Sequence, residues 1–217
     1  MTRNTHKVSD WRCPICGGLT TKAKWDNAAV PGECSDGCQQ EAQWRRICPP
    51  LFRETDPARL PTKQLREVLA WEPGPLGLLL HGKTDTFKTR CAYLLLKKLH
   101  FGGMEVMAWN SLDFAVRYAI ERKSDDVGES FIRRLTTVPV LMLDDIGKEA
   151  GTDAVEKGMF HIIDKRASLQ LPIIATTNMV GDDFRRAMAS DRGAPFVRRL
   201  KEFCRPIPFG VGKNGAG

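Results

Sequence analysis

The chain has 217 residues, 42% hydrophobic and 27% charged, which suits a packed core and excludes disorder along its whole length. Its formal charge of +7 points to anionic partners rather than acidic surfaces of its own. The longest apolar runs, such as Val138–Leu143 with its internal proline, are far too short to span a bilayer.

The start, MTRNTHKVSD, is polar and lacks the apolar middle of a signal peptide, so a cytoplasmic protein with no membrane association is expected. In that compartment seven cysteines read as metal ligands or buried thiols rather than disulfides. Residues 1–48 hold five of them, four closely grouped as Cys13-Pro-Ile-Cys16 and Cys34-Ser-Asp-Gly-Cys38. Two chelating turns at this spacing predict a structural Zn²⁺ held by four thiolates, in a segment too poor in aliphatics to fold otherwise. The module carries Trp11, Trp25 and Trp44, aromatic anchors for a partner or a small core. Cys48, Cys91 and Cys204 fall outside the spacing and are expected to be buried thiols.

Cys48-Pro49-Pro50 marks a boundary, because proline and the residue before it both oppose helix continuation. Residues 49–75 form a connector ending in a short helix, capped by Thr62, with Leu65, Val68 and Leu69 on one face. From 76 to 209 the pattern alternates strands with helices, the signature of a mostly parallel α/β sheet. Strands are expected at Gly77–His81, Glu105–Trp109, Val138–Leu143, Pro172–Thr176 and Arg205–Phe209. Helices are expected at Lys88–His100 with a stop at Gly102–Gly103, at Ser111–Arg122 from a serine cap, at Asp153–Arg166, and at Phe196–Phe203. Residues 210–217 are glycine-rich and read as a flexible tail.

The first core strand runs into GKTDTFKT, a phosphate-loop pattern with Phe87 where its second glycine belongs. Gly82, Lys83, Thr84, Asp85, Thr86, Phe87, Lys88 and Thr89 would cradle a triphosphate, with Lys88 on its β- and γ-phosphates and the Thr89 hydroxyl on Mg²⁺. A side chain at position 87 strains a left-handed turn, and Asp85 adds negative charge to an anion loop. VPVLMLDDIG (Val138–Gly147) then ends a strand in two carboxylates: Asp144 to hold the metal, Asp145 to act as general base. PIIATTN ends a third strand at Asn178, placed to bond a phosphate or its attacking water. From Arg185 to Lys213 eight Lys and Arg face only Asp191 and Glu202, a basic surface of the kind that meets nucleic acid.

The order of GKTDTFKT, VPVLMLDDIG, PIIATTN and the basic FVRRLKEF before a closing strand resembles the DnaC/DnaI-type replicative-helicase loaders and their transposon relative IstB. These are AAA+ ATPases, and the resemblance covers about residues 50–209. It implies a five-stranded, mostly parallel sheet in the AAA+ strand order with a truncated or absent helical lid. It implies an ATP and Mg²⁺ site in which Lys88 and Thr89 bind phosphate and metal, Asp144 and Asp145 form the Walker B pair, and Asn178 is sensor I. Arg199, or its neighbour Arg198, becomes an arginine finger toward a second copy in an ATP-bound homo-oligomer. Leu51-Phe52-Arg53 resembles the segment bordering the adenine pocket. The partners implied are a replicative DNA helicase, gripped by residues 1–48, and single-stranded DNA. Two alternatives stand beside this reading: an ATPase helper of a transposase, and a DNA-binding adaptor that has lost hydrolysis through Phe87 and Asp85.

Overall fold

The structure, a computed structural model, describes residues 11–12, 19–20, 24–25, 28–29, 36–121, 125–147, 153–179 and 194–210. The chain divides into two compact units, residues 1–49 and 50–217. In the first, β1 (Trp11–Arg12) pairs antiparallel with β2 (Leu19–Thr20), and β3 (Lys24–Trp25) with β4 (Ala28–Ala29). Helix α1 (Asp36–Ile47) follows, steadied by an Arg45–Glu41 pair at 2.8 Å. Cys13, Cys16 and Cys34 lie outside the described residues. Cys38 sits in α1 and not in a turn.

The second unit opens on α2 (Pro50–Arg53), whose first position suits proline because that N–H has no helical partner to lose. Helix α3 (Thr62–Leu69) buries Leu65 and Val68 as expected. Its N-cap is Pro61, which offers no side-chain bond, and not Thr62. Five strands then build one sheet: β5 (Gly77–Gly82), β6 (Val106–Asn110), β7 (Val140–Ile146), β8 (Ile173–Thr177) and β9 (Cys204–Phe209). The spatial order is β6-β7-β8-β5-β9 and every neighbouring pair is parallel. Counted from the first core strand this is 5-1-4-3-2, the AAA+ order.

Helices α4 (Lys88–Phe101), α5 (Ser111–Glu121), α6 (Asp125–Thr137), α7 (Asp153–Ser168) and α8 (Ala194–Phe203) connect and cover the strands. The central strands β7 and β8 are buried almost end to end, as parallel strands covered on both faces must be. Edge strand β9 carries Pro206 and Pro208, which cannot donate a ladder bond and are tolerated only at an edge. Helix α4 stops as the two glycines require: Gly103 takes φ 88°, and Met104 N–H reaches back to Leu99 O at 3.0 Å. Among the described residues no helix is long and apolar enough to cross a membrane.

Two expectations fail locally. Helix α6 had no counterpart in the sequence reading, although Phe131, Ile132 and Leu135 carry its spacing. The expected strand at Val138 starts two residues later, because Pro139 cannot donate, and continues through both aspartates to Ile146.

Beneath the sheet's opposite end, Arg166 of α7 is wholly buried. Its guanidinium donates to Leu135 O (2.9 Å), Val138 O (2.8 Å), Pro139 O (3.3 Å) and Pro172 O (2.7 Å). One side chain thus joins the end of α6 to the approaches of β7 and β8. Burial pulls its pKa down to about 10, which leaves it charged at neutral pH. Arg166→Met strips four carbonyls of a charged donor and should destabilise the fold by at least about 3 kcal/mol, read as a lower urea midpoint. An unchanged midpoint would mean that water replaces the guanidinium at no cost.

Candidate functional site

Parallel sheets present their strand ends on one side, and here the C-terminal ends of β5, β7 and β8 bring the chemistry together. Strand β5 ends at Gly82, where φ is 146° and an added Cβ would lie 1.9 Å from Phe209 O, so only glycine fits. The loop after it is closed by Thr86 Oγ1, which donates to Lys83 O at 2.8 Å.

Lys88, at the start of α4, is 5% exposed. Its ammonium donates to Gly82 O (2.8 Å), Lys83 O (2.7 Å), Thr86 Oγ1 (3.1 Å) and Asn178 Oδ1 (2.9 Å). Three N–H bonds facing four acceptors must share, so exchanging one acceptor for a phosphate oxygen costs little. Asn178 in turn donates from Nδ2 to Asp145 Oδ1 at 2.5 Å, which chains loop, β8 and β7 through side chains alone.

A second chain of bonds runs beside it. Thr89 Oγ1 donates to Asp144 Oδ1 at 2.8 Å, and Thr176 Oγ1 donates to the same oxygen at 2.6 Å. Asp144 is 7% exposed, and burial raises its pKa above the ordinary carboxylate range. The Thr176 and Thr89 hydroxyls pull it back, the Asp145 charge adds to the rise, and Lys88 opposes it. His81, just before the loop, is held below its usual pKa by burial, then by the Lys201 and Lys88 charges. Strand β5 therefore ends in a positive field that favours an anion.

Phe87 decides whether the loop keeps a phosphate-binding shape. It caps α4 with φ 66° and ψ 14°, the left-handed conformation a glycine would supply, and the residue is 45% exposed. The side chain is therefore not buried within the loop. Asp85 shares the strain, at φ 60°. Holding a side chain left-handed costs about 1–2 kcal/mol per residue. On the loop's other flank Arg90 donates to Leu51 O (3.2 Å) and Thr55 Oγ1 (3.1 Å) and lies over the Phe52 ring, which stacks on Tyr93. Leu51-Phe52-Arg53 is thus fixed beside α4.

The structure brings Lys88, Thr89, Asp144, Asp145 and Asn178 into one network. It does not bring Arg199 there. Arg199 pairs with Asp164 (3.2 Å) and Glu202 (3.1 Å) and lies over Phe203, whereas Arg198 is exposed. Sequence reasoning missed Thr176 and Ser111. Serine 111 was expected to cap α5, but Asn110 Oδ1 accepts the Leu112 N–H (3.0 Å), while Ser111 Oγ donates to Asp145 O (2.9 Å). The donor set fits a magnesium-bound triphosphate: a hydroxyl and a carboxylate side by side are hard oxygen ligands, with a buried ammonium adjacent.

No protein-family model and no curated protein matches the chain. Solved structures do. The DnaC helicase loader superposes with TM-score 0.60 at 20% identity, over 77% of this chain and 98% of that one. DnaI matches with TM-score 0.55 at 21% identity, over 79% and 96%. The replication initiator DnaA bound to AMPPCP and single-stranded DNA matches with TM-score 0.55 at 19% identity, over 68% of this chain but 44% of DnaA. The chain therefore has the AAA+ fold that these replication proteins share.

Two outcomes follow from the strain and burial described. Phe87→Gly and Phe87→Ala both remove the ring, yet only alanine keeps the left-handed penalty, so the glycine variant should be more stable by about 1 kcal/mol in urea denaturation. Equal stabilities would show that position 87 is unstrained. Because the pKa of Asp144 is raised on folding, native protein keeps its proton longer than unfolded chain, and ionised Asp144 costs stability as pH rises. Asp144→Asn should therefore raise the thermal midpoint at pH 7, with the gain fading below about pH 4. A lower midpoint at pH 7 would reverse that sign.

Proposed function

We propose that the chain is a magnesium-dependent ATP-binding protein of DNA replication, resembling the helicase loaders in action as in fold. What supports this most is the convergence of Lys88, Thr89, Asp144, Asp145 and Asn178 at three adjacent strand ends, in a sheet of AAA+ order. Lys88 neutralises charge on the β- and γ-phosphates, moving from its acceptors within the loop. Thr89 and Asp144 are the residues that would hold Mg²⁺, which when bound would offset the negative charge of the phosphates. Asp145 is the candidate to take the proton of an attacking water, with Asn178 orienting both. Phe87 held in a glycine-like conformation favours this reading over a nucleotide-insensitive adaptor.

The wider reading rests on the resemblance and on charge. Residues 1–48 would dock on a replicative helicase, folded around Zn²⁺ held by Cys13, Cys16, Cys34 and Cys38. The basic face of the core would contact single-stranded DNA, as the DnaA structure carries both AMPPCP and such DNA. Copies would assemble side by side when ATP is bound, each offering an arginine to its neighbour. The ion pairs of Arg199 favour Arg198 as the one that reaches.

Titrating the full chain with ATP and magnesium, alongside Lys88→Ala, tests the core of the proposal. Wild type should bind, and the variant should lose at least about tenfold in affinity, since a charged hydrogen bond is worth about 1.5–3 kcal/mol. Negligible binding by both proteins would sink it.

A further inference from the structure

We propose that Thr176 is a positioning residue whose hydroxyl makes the acidic end of β7 competent to hold a metal-bound nucleotide. The inference rests on the reading of this site as a magnesium–nucleotide site and names a residue to which that reading gave no role.

The pairing of β7 with β8 runs regularly from Leu141 opposite Ile173 to Leu143 opposite Ala175, then breaks until Ile146 meets Thr177. Two residues of β7, Asp144 and Asp145, therefore face the single residue Thr176. This is a bulge, and Asp145 takes the left-handed φ of 60° that lets the strand turn. Bulges re-aim side chains, here both carboxylates, but they remove a ladder bond and store strain. Such strain persists only where the surroundings over-determine it.

Thr176 supplies that over-determination. Its Oγ1 accepts the Asp145 N–H at 2.8 Å, standing in for the missing ladder bond, and spends its one proton on Asp144 Oδ1 at 2.6 Å. Thr176 is 1% exposed, so no water replaces either bond cheaply. The strained peptide is pinned on its other side by Ser111 Oγ to Asp145 O, and its carboxylate by Asn178 Nδ2. Both hydroxyls reaching Asp144, from Thr176 and Thr89, converge on Oδ1, so neither engages Oδ2. One hydroxyl thus sets the rotamer of the expected metal ligand and the backbone of the expected base. The next residue does something different: Thr177 Oγ1 donates to Ile146 O at 2.7 Å and accepts from Met179 N–H, away from both carboxylates.

The test measures the affinity of a fluorescent ATP analogue for the full chain across a magnesium titration and in EDTA. Thr176→Val should raise the magnesium concentration at half-saturation about 10- to 100-fold, the usual effect of losing an outer-shell partner, with metal-free affinity changed less than about twofold. Thr176→Ser, which keeps the hydroxyl, should stay within about threefold of wild type. Thr177→Val, an equally buried loss, should lower the thermal midpoint without moving the magnesium requirement. Should Thr176→Val fail to fold, Thr176→Ala against Thr176→Ser isolates the hydroxyl, since both lack the methyl.

An unchanged magnesium requirement in the hydroxyl-deleted variant overturns the inference, as does an equal shift in all three substitutions. Nucleotide binding by wild type that ignores magnesium overturns the underlying reading as well. Failure confined to the variants therefore leaves that reading standing.

Discussion

A buried ammonium cannot be left without acceptors, and that constraint organises this molecule's working face. Lys88 meets it with two carbonyls of its own loop, a threonine hydroxyl and the amide oxygen of Asn178, ninety residues away. Because Asn178 also holds Asp145, the charge at the loop is tied to the acidic strand by a single side chain. The same economy appears at Asp144, where hydroxyls from α4 and β8 share one carboxylate oxygen. Loop, acidic strand and third strand are thereby held in one register by side-chain bonds across their ends.

Strain accompanies this arrangement and is concentrated there. Among the described residues four other than glycine have positive φ, and three of them, Asp85, Phe87 and Asp145, belong to the two sides of the site. Each costs on the order of 1–2 kcal/mol, and an ionised Asp144 in a buried place adds to the burden. The opposite end of the sheet shows the converse, with Arg166 binding four backbone carbonyls. Stability is thus concentrated where the strands begin and destabilising chemistry where they finish, the usual division in open parallel sheets.

Much of this was legible in the sequence. Apolar runs bounded by turn residues placed all five strands to within three residues at either end, because buried parallel strands leave a hydrophobic trace. The phosphate loop, the paired aspartates and Asn178 were identifiable because their chemistry is local to short segments. What escaped depended on distant partners. Thr176 reads as an ordinary strand threonine until the bulge opposite it is known, and Ser111 passes for a helix cap until Asn110 is seen in that role. Phe87 looked like a defect because sequence cannot show that a loop will impose a left-handed turn on a bulky residue. Helix α6 was overlooked because Gly128 and the charges around it mask a short apolar face.

The fold is common to the DnaC helicase loader and to the replication initiator DnaA, so the site and not the sheet must carry the functional claim. A crystal structure of the full chain with magnesium and AMPPCP bears on it most directly. The expected result has the triphosphate against residues 82–89, Lys88 Nζ turned from Asn178 Oδ1 to a phosphate oxygen, and the metal between Thr89 and Asp144. A nucleotide bound elsewhere, with Lys88 still bonded to the carbonyls of Gly82 and Lys83, would contradict it.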